Sequence, residues 1–105
     1  MTFGDVIAEA RKKASLSQKD LATRIKKEDG SPISPQYLND IEHDRRNPPS
    51  EFILRQFAKE LNLPFEYLLF FAGELPRDVL DSRHSPPQPE DVEAAFRAFR
   101  KALKK

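Results

Sequence analysis

Three features of the 105-residue sequence predict an all-α fold. Apolar residues recur at spacings of three and four along most of the chain. Good helix N-caps, Thr2, Ser17 and Ser34, stand directly before these stripes. Turn and breaker residues, Asp29-Gly30-Ser31-Pro32, Asn47-Pro48-Pro49 and Gly73, separate one stripe from the next. The organisation expected is five helices over residues 1–74, a short helical turn and Pro-rich linker over 75–89, and an amphipathic C-terminal helix over 90–105.

Taken in order, Thr2-Phe3-Gly4-Asp5 has the form of a capping box and opens a first helix that runs to about Ala14. Phe3, Ile7 and Ala10 face inward, with Arg11 one position further on the same stripe. Ser17-Gln18-Lys19-Asp20 repeats the start signal, and Leu21, Ala22 and Ile25 follow at helical spacing. After the Asp29–Pro32 turn, Ser34 caps a third helix with Pro35 at its first position, where a missing N–H costs nothing. Leu38 and Ile41 are its inward residues; Gln36, Tyr37, Asn39, Asp40 and His43 form the other face. Two short helices joined by a turn, the second with a hydrogen-bonding outer face, suit reading of the DNA major groove.

Asn47-Pro48-Pro49-Ser50 forces an extended corner before a fourth helix, whose apolar face is Ile53, Leu54, Phe57, Ala58 and Leu61. Pro64 begins a fifth, apolar nearly all round: Phe65, Leu68, Leu69 and Phe71, with Tyr67 and Phe70 on another side. Such a helix is expected to be covered on more than one side, by a second subunit or by the chain's own C-terminal segment. Residues 75–80 fit one more helical turn, and Pro86, Pro87 and Pro89 stiffen a linker from Ser82 to Pro89. The last helix carries acids at its start and Arg100, Lys101, Lys104 and Lys105 at its end, a gradient that complements the helix dipole. Val92, Phe96, Phe99 and Leu103 form a narrow stripe suited to one partner surface.

The run Leu16-Ser17-Gln18 with Leu21-Ala22, then Ser34-Pro35-x-Tyr37-Leu38-x-x-Ile41-Glu42, then Arg45-Arg46-Asn47-Pro48, resembles the phage-repressor (Cro/C1, XRE-type) helix-turn-helix family. Ile7 and Arg11 extend the resemblance upstream; Leu61-x-Leu63, Leu68-Leu69 and Ala72-Gly73 extend it downstream. One departure is that Ala22 to Ser34 is longer than the family's tight turn. The resemblance implies a five-helix, lambda-repressor-like DNA-binding domain. It also implies a phosphate contact by Gln18 and pairing of Arg11 with Glu42. Without it, Arg11 is a solvated helix-end cation, and Asp40/Glu42 and Asp78/Asp81 are helix-surface charges.

Composition narrows the function classes. With no cysteine, there is no disulfide framework or thiolate metal site. No apolar run approaches a membrane span, and the early Asp5 and Glu9 do not suit a signal peptide, so a cytoplasmic protein is expected; the resemblance implies a bacterial or phage-encoded one. Net charge is only +1, but its distribution is uneven: residues 1–30 carry seven Lys/Arg against five acids, and residues 63–82 one against four. A DNA-binding protein needs a basic face, not a basic total. Catalysis finds little support. The two histidines, His43 and His84, lie in no metal-ligand spacing, and three scattered glycines form no phosphate loop. No cofactor and no metal are expected, and no enzymatic activity.

For DNA reading, Gln36 and Asn39 can offer bidentate amides to adenine, Asp40 can accept from cytosine N4, and Pro35 and Tyr37 can touch a thymine methyl. Phosphate contacts fall to Ser17, Gln18, Lys19, Lys26, Lys27, His43, Arg45, Arg46 and Asn47. Phe70, Val92, Phe96, Phe99 and Leu103 are the dimer or partner contacts. The function expected is a sequence-specific transcriptional regulator, most readily a repressor, binding double-stranded DNA as a homodimer with half-sites about 34 Å apart. The alternatives are an antitoxin-type regulator holding a partner protein through its C-terminal helix, and an adaptor using the same fold for protein contacts.

Overall fold

In the computed structural model, residues 1–85 and 87–104 are described; Pro86 of the expected linker and Lys105 of the basic end lie outside the described residues. The chain divides into two units, Met1–Glu74 and Leu75–Lys105. The first contains α1 (Phe3–Lys13), α2 (Gln18–Arg24), α3 (Pro35–Glu42), α4 (Glu51–Leu61) and α5 (Phe65–Ala72). The all-α class and its five-helix repressor-like domain are those the sequence predicts.

Local chemistry starts and stops these helices. Thr2 and Ser17 close full capping boxes with Asp5 and Asp20, and the Ser34 hydroxyl accepts from Tyr37 N–H with Pro35 in the first turn. The Thr2 backbone N–H holds the Asp5 carboxyl below its ordinary pKa, and the Ser17 hydroxyl does the same for Asp20. These caps therefore contribute in full at neutral pH and weaken as pH falls through the lowered values. Ser50 takes the cap position of α4 but makes no side-chain cap bond. Four helices end alike. Ser15, Asp44, Asn62 and Gly73 adopt left-handed backbone conformations after α1, α3, α4 and α5. In each case the next N–H returns five residues: Leu16 to Arg11, Arg45 to Asp40, Leu63 to Ala58 and Glu74 to Leu69, at 2.9–3.1 Å.

α2 ends differently. Ile25, expected within that helix, is extended, yet its side chain remains fully buried. The chain then leaves as a small antiparallel excursion. Ile33 N–H donates to the Ile25 carbonyl at 2.9 Å, Lys27 N–H to Ser31 O at 2.7 Å, and Lys26 bridges Pro32. Gly30 supplies the positive φ at the tip, and Asp29 accepts from both the backbone and the hydroxyl of Ser31. Gln56 of α4 clamps the neck: its amide accepts from Lys26 N–H at 2.7 Å and donates to the Lys26 carbonyl at 2.8 Å. The extra length is thus looped out between two buried isoleucines, Ile25 and Ile33.

The core joins Phe3, Val6 and Ile7 of α1 to Leu21, Ala22, Leu38 and Ile41 of the two motif helices. Leu54, Phe57, Ala58, Leu61, Leu68 and Leu69 complete it from α4 and α5. Val6 and Ile33 are core residues beyond those expected; Ala10, Ile53, Phe65 and Phe71 are only partly buried. Within this unit α5 packs into the core through Leu68 and Leu69. Tyr67 and Phe70 stay nearly half exposed, each edge-on to Phe71 at 5.1 and 5.3 Å.

Glu42 corrects the surface-charge reading, being only 7% exposed. Its carboxylate accepts from Arg11 Nε at 2.6 Å, Arg11 Nη2 at 3.0 Å and Gln18 Nε2 at 3.0 Å, so α1 and α2 meet at the end of α3. Arg11 Nη1 also donates to the Leu16 carbonyl at 2.9 Å, tying down the α1–α2 turn. Beside this hub, Asp44 accepts from Gly4 N–H at 2.9 Å and from the Thr2 hydroxyl, a second acid at the α1 N-terminus.

The second unit contains α6 (Arg77–Asp81), a 3-10 turn (Ser82–His84) and α7 (Pro89–Leu103). The linker thus begins later than expected, since Ser82–His84 continue as a helical turn, with the Ser82 hydroxyl donating to the Val79 carbonyl. An apolar cleft runs between α6 and α7, lined by Leu75, Pro76, Val79, Val92, Ala95, Phe96 and Phe99.

Two outcomes test this packing. A Cβ on Gly4 would lie 2.5 and 2.6 Å from the carbonyl oxygens of Glu42 and Ile41. Helix propensity alone predicts that Gly4→Ala gains up to about 1 kcal/mol; the contact predicts a loss of about 1–3 kcal/mol in urea unfolding. Removing either Arg11 or Glu42 should cost about 3–5 kcal/mol, because a buried charge is left alone. Arg11→Met combined with Glu42→Leu should cost much less than the two single changes added, and strict additivity would exclude a coupled pair.

Candidate nucleic-acid interface

The two sides of α3 have different partners. Leu38 and Ile41 lie in the core and Glu42 in the hub, which fixes the helix along its inner side. Pro35 and Gln36 are exposed, Tyr37, Asn39 and Asp40 are partly so, and His43, Arg45, Arg46 and Asn47 follow as exposed residues past the last turn. The alternation follows from 3.6 residues per turn: positions 38, 41 and 42 share one side, while 36, 37 and 40 share another.

Five of these residues form one connected cluster. Asp40 is its centre, with a side chain only 17% exposed. Gln36 Nε2 donates to Asp40 Oδ1 at 3.0 Å, Arg45 Nη1 stands 3.6 Å from the same oxygen, and Arg46 Nε stands 3.4 Å from Oδ2. The Arg46 guanidinium lies 5.0 Å from the Tyr37 ring centroid, so it is held between an aromatic face and a carboxylate. Tyr37, Arg45, Arg46 and Asn47 line an open polar cleft with Asp44, Pro48 and Pro49. The chemistry on offer is hydrogen bonding by amide and carboxylate groups, backed by two guanidiniums that are more than half exposed.

Other residues singled out from the sequence are placed differently. Gln18 gives one amide N–H to Asn39 Oδ1 at 3.1 Å and the other to Glu42. Both of its side-chain donors therefore serve the α2–α3 packing, and the Asn39 oxygen is engaged with them. Ser17 is occupied by the α2 cap. Lys19 is exposed on α2, and Lys26 and Lys27 stand at the neck of the excursion, where Lys26 Nζ donates to the Thr23 carbonyl at 2.7 Å. His43 Nδ1 donates to the Asn39 carbonyl at 2.8 Å, which directs its other ring nitrogen away from the helix end. Phe70 lies on α5, whereas Val92, Phe96, Phe99 and Leu103 lie on α7, exposed between 41% and 57%. Asp44 and Gln56 escaped the sequence reading. The positive φ of residue 44 had no glycine to signal it, and the Gln56 clamp spans thirty positions in sequence.

Among the described residues, no group of three or more His, Cys, Asp or Glu could hold a metal ion, and no helix is long and apolar enough to cross a membrane.

Comparison with known proteins agrees with this architecture. The family profile described as helix-turn-helix matches residues 7–68, from α1 to α5. A solved SinR protein/SinI protein complex contains a chain that superposes with a TM-score of 0.56 at 22% identity, covering 97% of this chain and 100% of that one; this is a likeness of fold. No curated protein sequence matches. With the profile spanning more than half of the chain and the motif helices at its centre, the chain belongs to the XRE-type helix-turn-helix family of DNA-binding transcriptional regulators.

Proposed function

We propose that the chain is a homodimeric repressor that lays the outer side of α3 in the major groove of double-stranded DNA. The observation that carries this reading is the division of α3: its inner side is fully committed to core and hub, and its outer side carries Gln36, Tyr37 and Asp40 beside Arg45, Arg46 and Asn47. Gln36 has the amide edge that pairs with adenine, Pro35 and Tyr37 supply apolar surface for a thymine methyl, and Asp40 accepts from an amine. Arg45, Arg46, Asn47 and His43 anchor phosphates on one flank, with Lys19, Lys26 and Lys27 on the α2 side. Asn39 and Gln18 act chiefly by orientation, since Gln18 donates to Asn39 and Glu42.

One short helix reads only a few base pairs, and two-fold pairing supplies the rest. The exposed stripe Val92, Phe96, Phe99 and Leu103 on α7 supports pairing through the second unit. Burying the half of each of these four side chains that is still exposed is worth about 1 kcal/mol apiece before ordering costs, enough to shift a dimer constant. A second reading has its own observation. The apolar α6–α7 cleft could take a segment of a different protein, and the structure with a similar fold is that of a two-protein complex.

Gln36→Ala should relax specificity at one or two operator positions by about 1–3 kcal/mol. Arg46→Ala should instead weaken binding to every sequence and flatten the salt dependence. Selection from a randomised duplex library separates the two, and uniform loss from both variants would defeat the assignment. Truncation after Arg83 should leave residues 1–74 helical while weakening self-association in sedimentation. An unchanged dimer constant would remove the second unit from the dimer, and capture of a different protein by the full chain alone would favour the second reading.

A further inference from the structure

We propose that Asp40 acts as an internal phosphate surrogate that releases Arg45 and Arg46 to DNA only where the opposing base can replace them. The inference rests on the reading above, that the outer side of α3 enters the major groove, and it gives that surface a specificity mechanism.

Both guanidiniums are at ion-pair distance from one carboxylate, 3.6 Å for Arg45 and 3.4 Å for Arg46, and both side chains are more than half exposed. At these separations, with the guanidinium side open to water, the pairs are weak and can exchange partners, so a DNA phosphate can compete for each arginine. The carboxylate cannot move away with them. It is on the second turn of a helix whose inner side is packed, it is mostly covered, and its other donor is Gln36 of the preceding turn. Once the arginines leave, Asp40 faces the groove with one amide donor and a full negative charge close to a polyanion.

Base edges then decide the outcome. In the major groove only cytosine N4 and adenine N6 present donors; guanine O6 and N7 and thymine O4 present acceptors. Opposite a cytosine, or an adenine amine, Asp40 gains the donor that replaces a guanidinium, and both arginines pass to phosphates. Opposite acceptor-only edges the carboxylate keeps its arginines, and the complex forms with fewer phosphate contacts. Specific and non-specific complexes therefore differ in the number of ions released as well as in base contacts. Tyr37 assists by holding Arg46 near the point of exchange, 5.0 Å from its ring centroid.

The test is Asp40→Asn in the full chain, titrated at several salt concentrations against a mixed-sequence duplex and against the best duplex selected by the unmodified protein. Asn keeps an acceptor for Gln36 and removes the charge that holds the arginines; an unchanged melting temperature checks the fold. The expected result is a gain of about tenfold on the mixed-sequence duplex, with its log K against log salt slope steeper by about 0.9 for each arginine released, and a smaller gap between the two duplexes. In an Arg45→Ala/Arg46→Ala background, measured at low salt, Asp40→Asn should give no such gain. A gain that persists there means that the lost charge acts through space alone, which overturns the proposal. An unchanged mixed-sequence affinity and slope overturn it too, leaving Asp40 as an ordinary base contact. If neither protein binds any duplex, the reading of α3 as a groove reader falls together with the proposal.

Discussion

The buried Glu42 carboxylate is the constraint on which the rest of the DNA-binding unit depends. A charge so far from water is tolerated only when its lone pairs are met by donors in good geometry, and three N–H groups from Arg11 and Gln18 do so at 2.6–3.0 Å. Because those donors come from α1 and α2, the end of α3 cannot shift without stranding a charge. Gly4 reinforces the same point sterically, since no side chain fits between α1 and the last carbonyls of α3. Hydrophobic burial draws these helices together, but it is indifferent to small rotations. The apolar positions assign the inner side of α3, and the hub pins its rotation within that assignment.

Asp40 and Glu42 show how position on one helix assigns different work to the same functional group. Two residues apart, they lie on nearly opposite sides of α3. Glu42 has dedicated partners on neighbouring helices, whereas the charged partners of Asp40 are exposed residues just past the helix end. One carboxylate therefore fixes the frame, and the other sits where its partners can be exchanged. The left-handed turn at Asp44 links the two environments. It lets Arg45 N–H return to the Asp40 carbonyl, turning the chain so that Arg45 and Arg46 come back to the α3 surface, while its own side chain reaches the N-terminus of α1.

The lengthened connection between α2 and α3 is accommodated without disturbing this frame. Ile25 and Ile33 are both in the core and hydrogen-bonded to each other through the backbone, so the chain departs and returns at neighbouring points. Everything between them is a surface excursion closed by Lys26–Pro32 pairing and held to α4 by Gln56. Loop length is thermodynamically inexpensive when the two ends are held close together, as they are here.

The sequence by itself determined the features governed by neighbours in the chain. Capping residues at Thr2, Ser17 and Ser34, the first-turn Pro35 and the apolar periodicity placed the starts of the five helices to within a residue or two, and Gly73 the end of the last. The outward face of α3 was legible for the same reason, since a fixed period assigns sides once the apolar positions are known. Burial of Glu42 was not legible from composition or spacing, which give a surface charge; only its donors from α1 and α2 make burial possible. Likewise, the paired roles of Gln18 and Asn39, the Asp44 cap on Gly4 and the Gln56 clamp join residues twenty-one to forty positions apart. Tertiary structure alone decided which polar groups are committed inside the protein and which remain on its surface. A hydrogen bond depends on distance and angle between particular atoms, and no local pattern of residue types encodes those across separate helices.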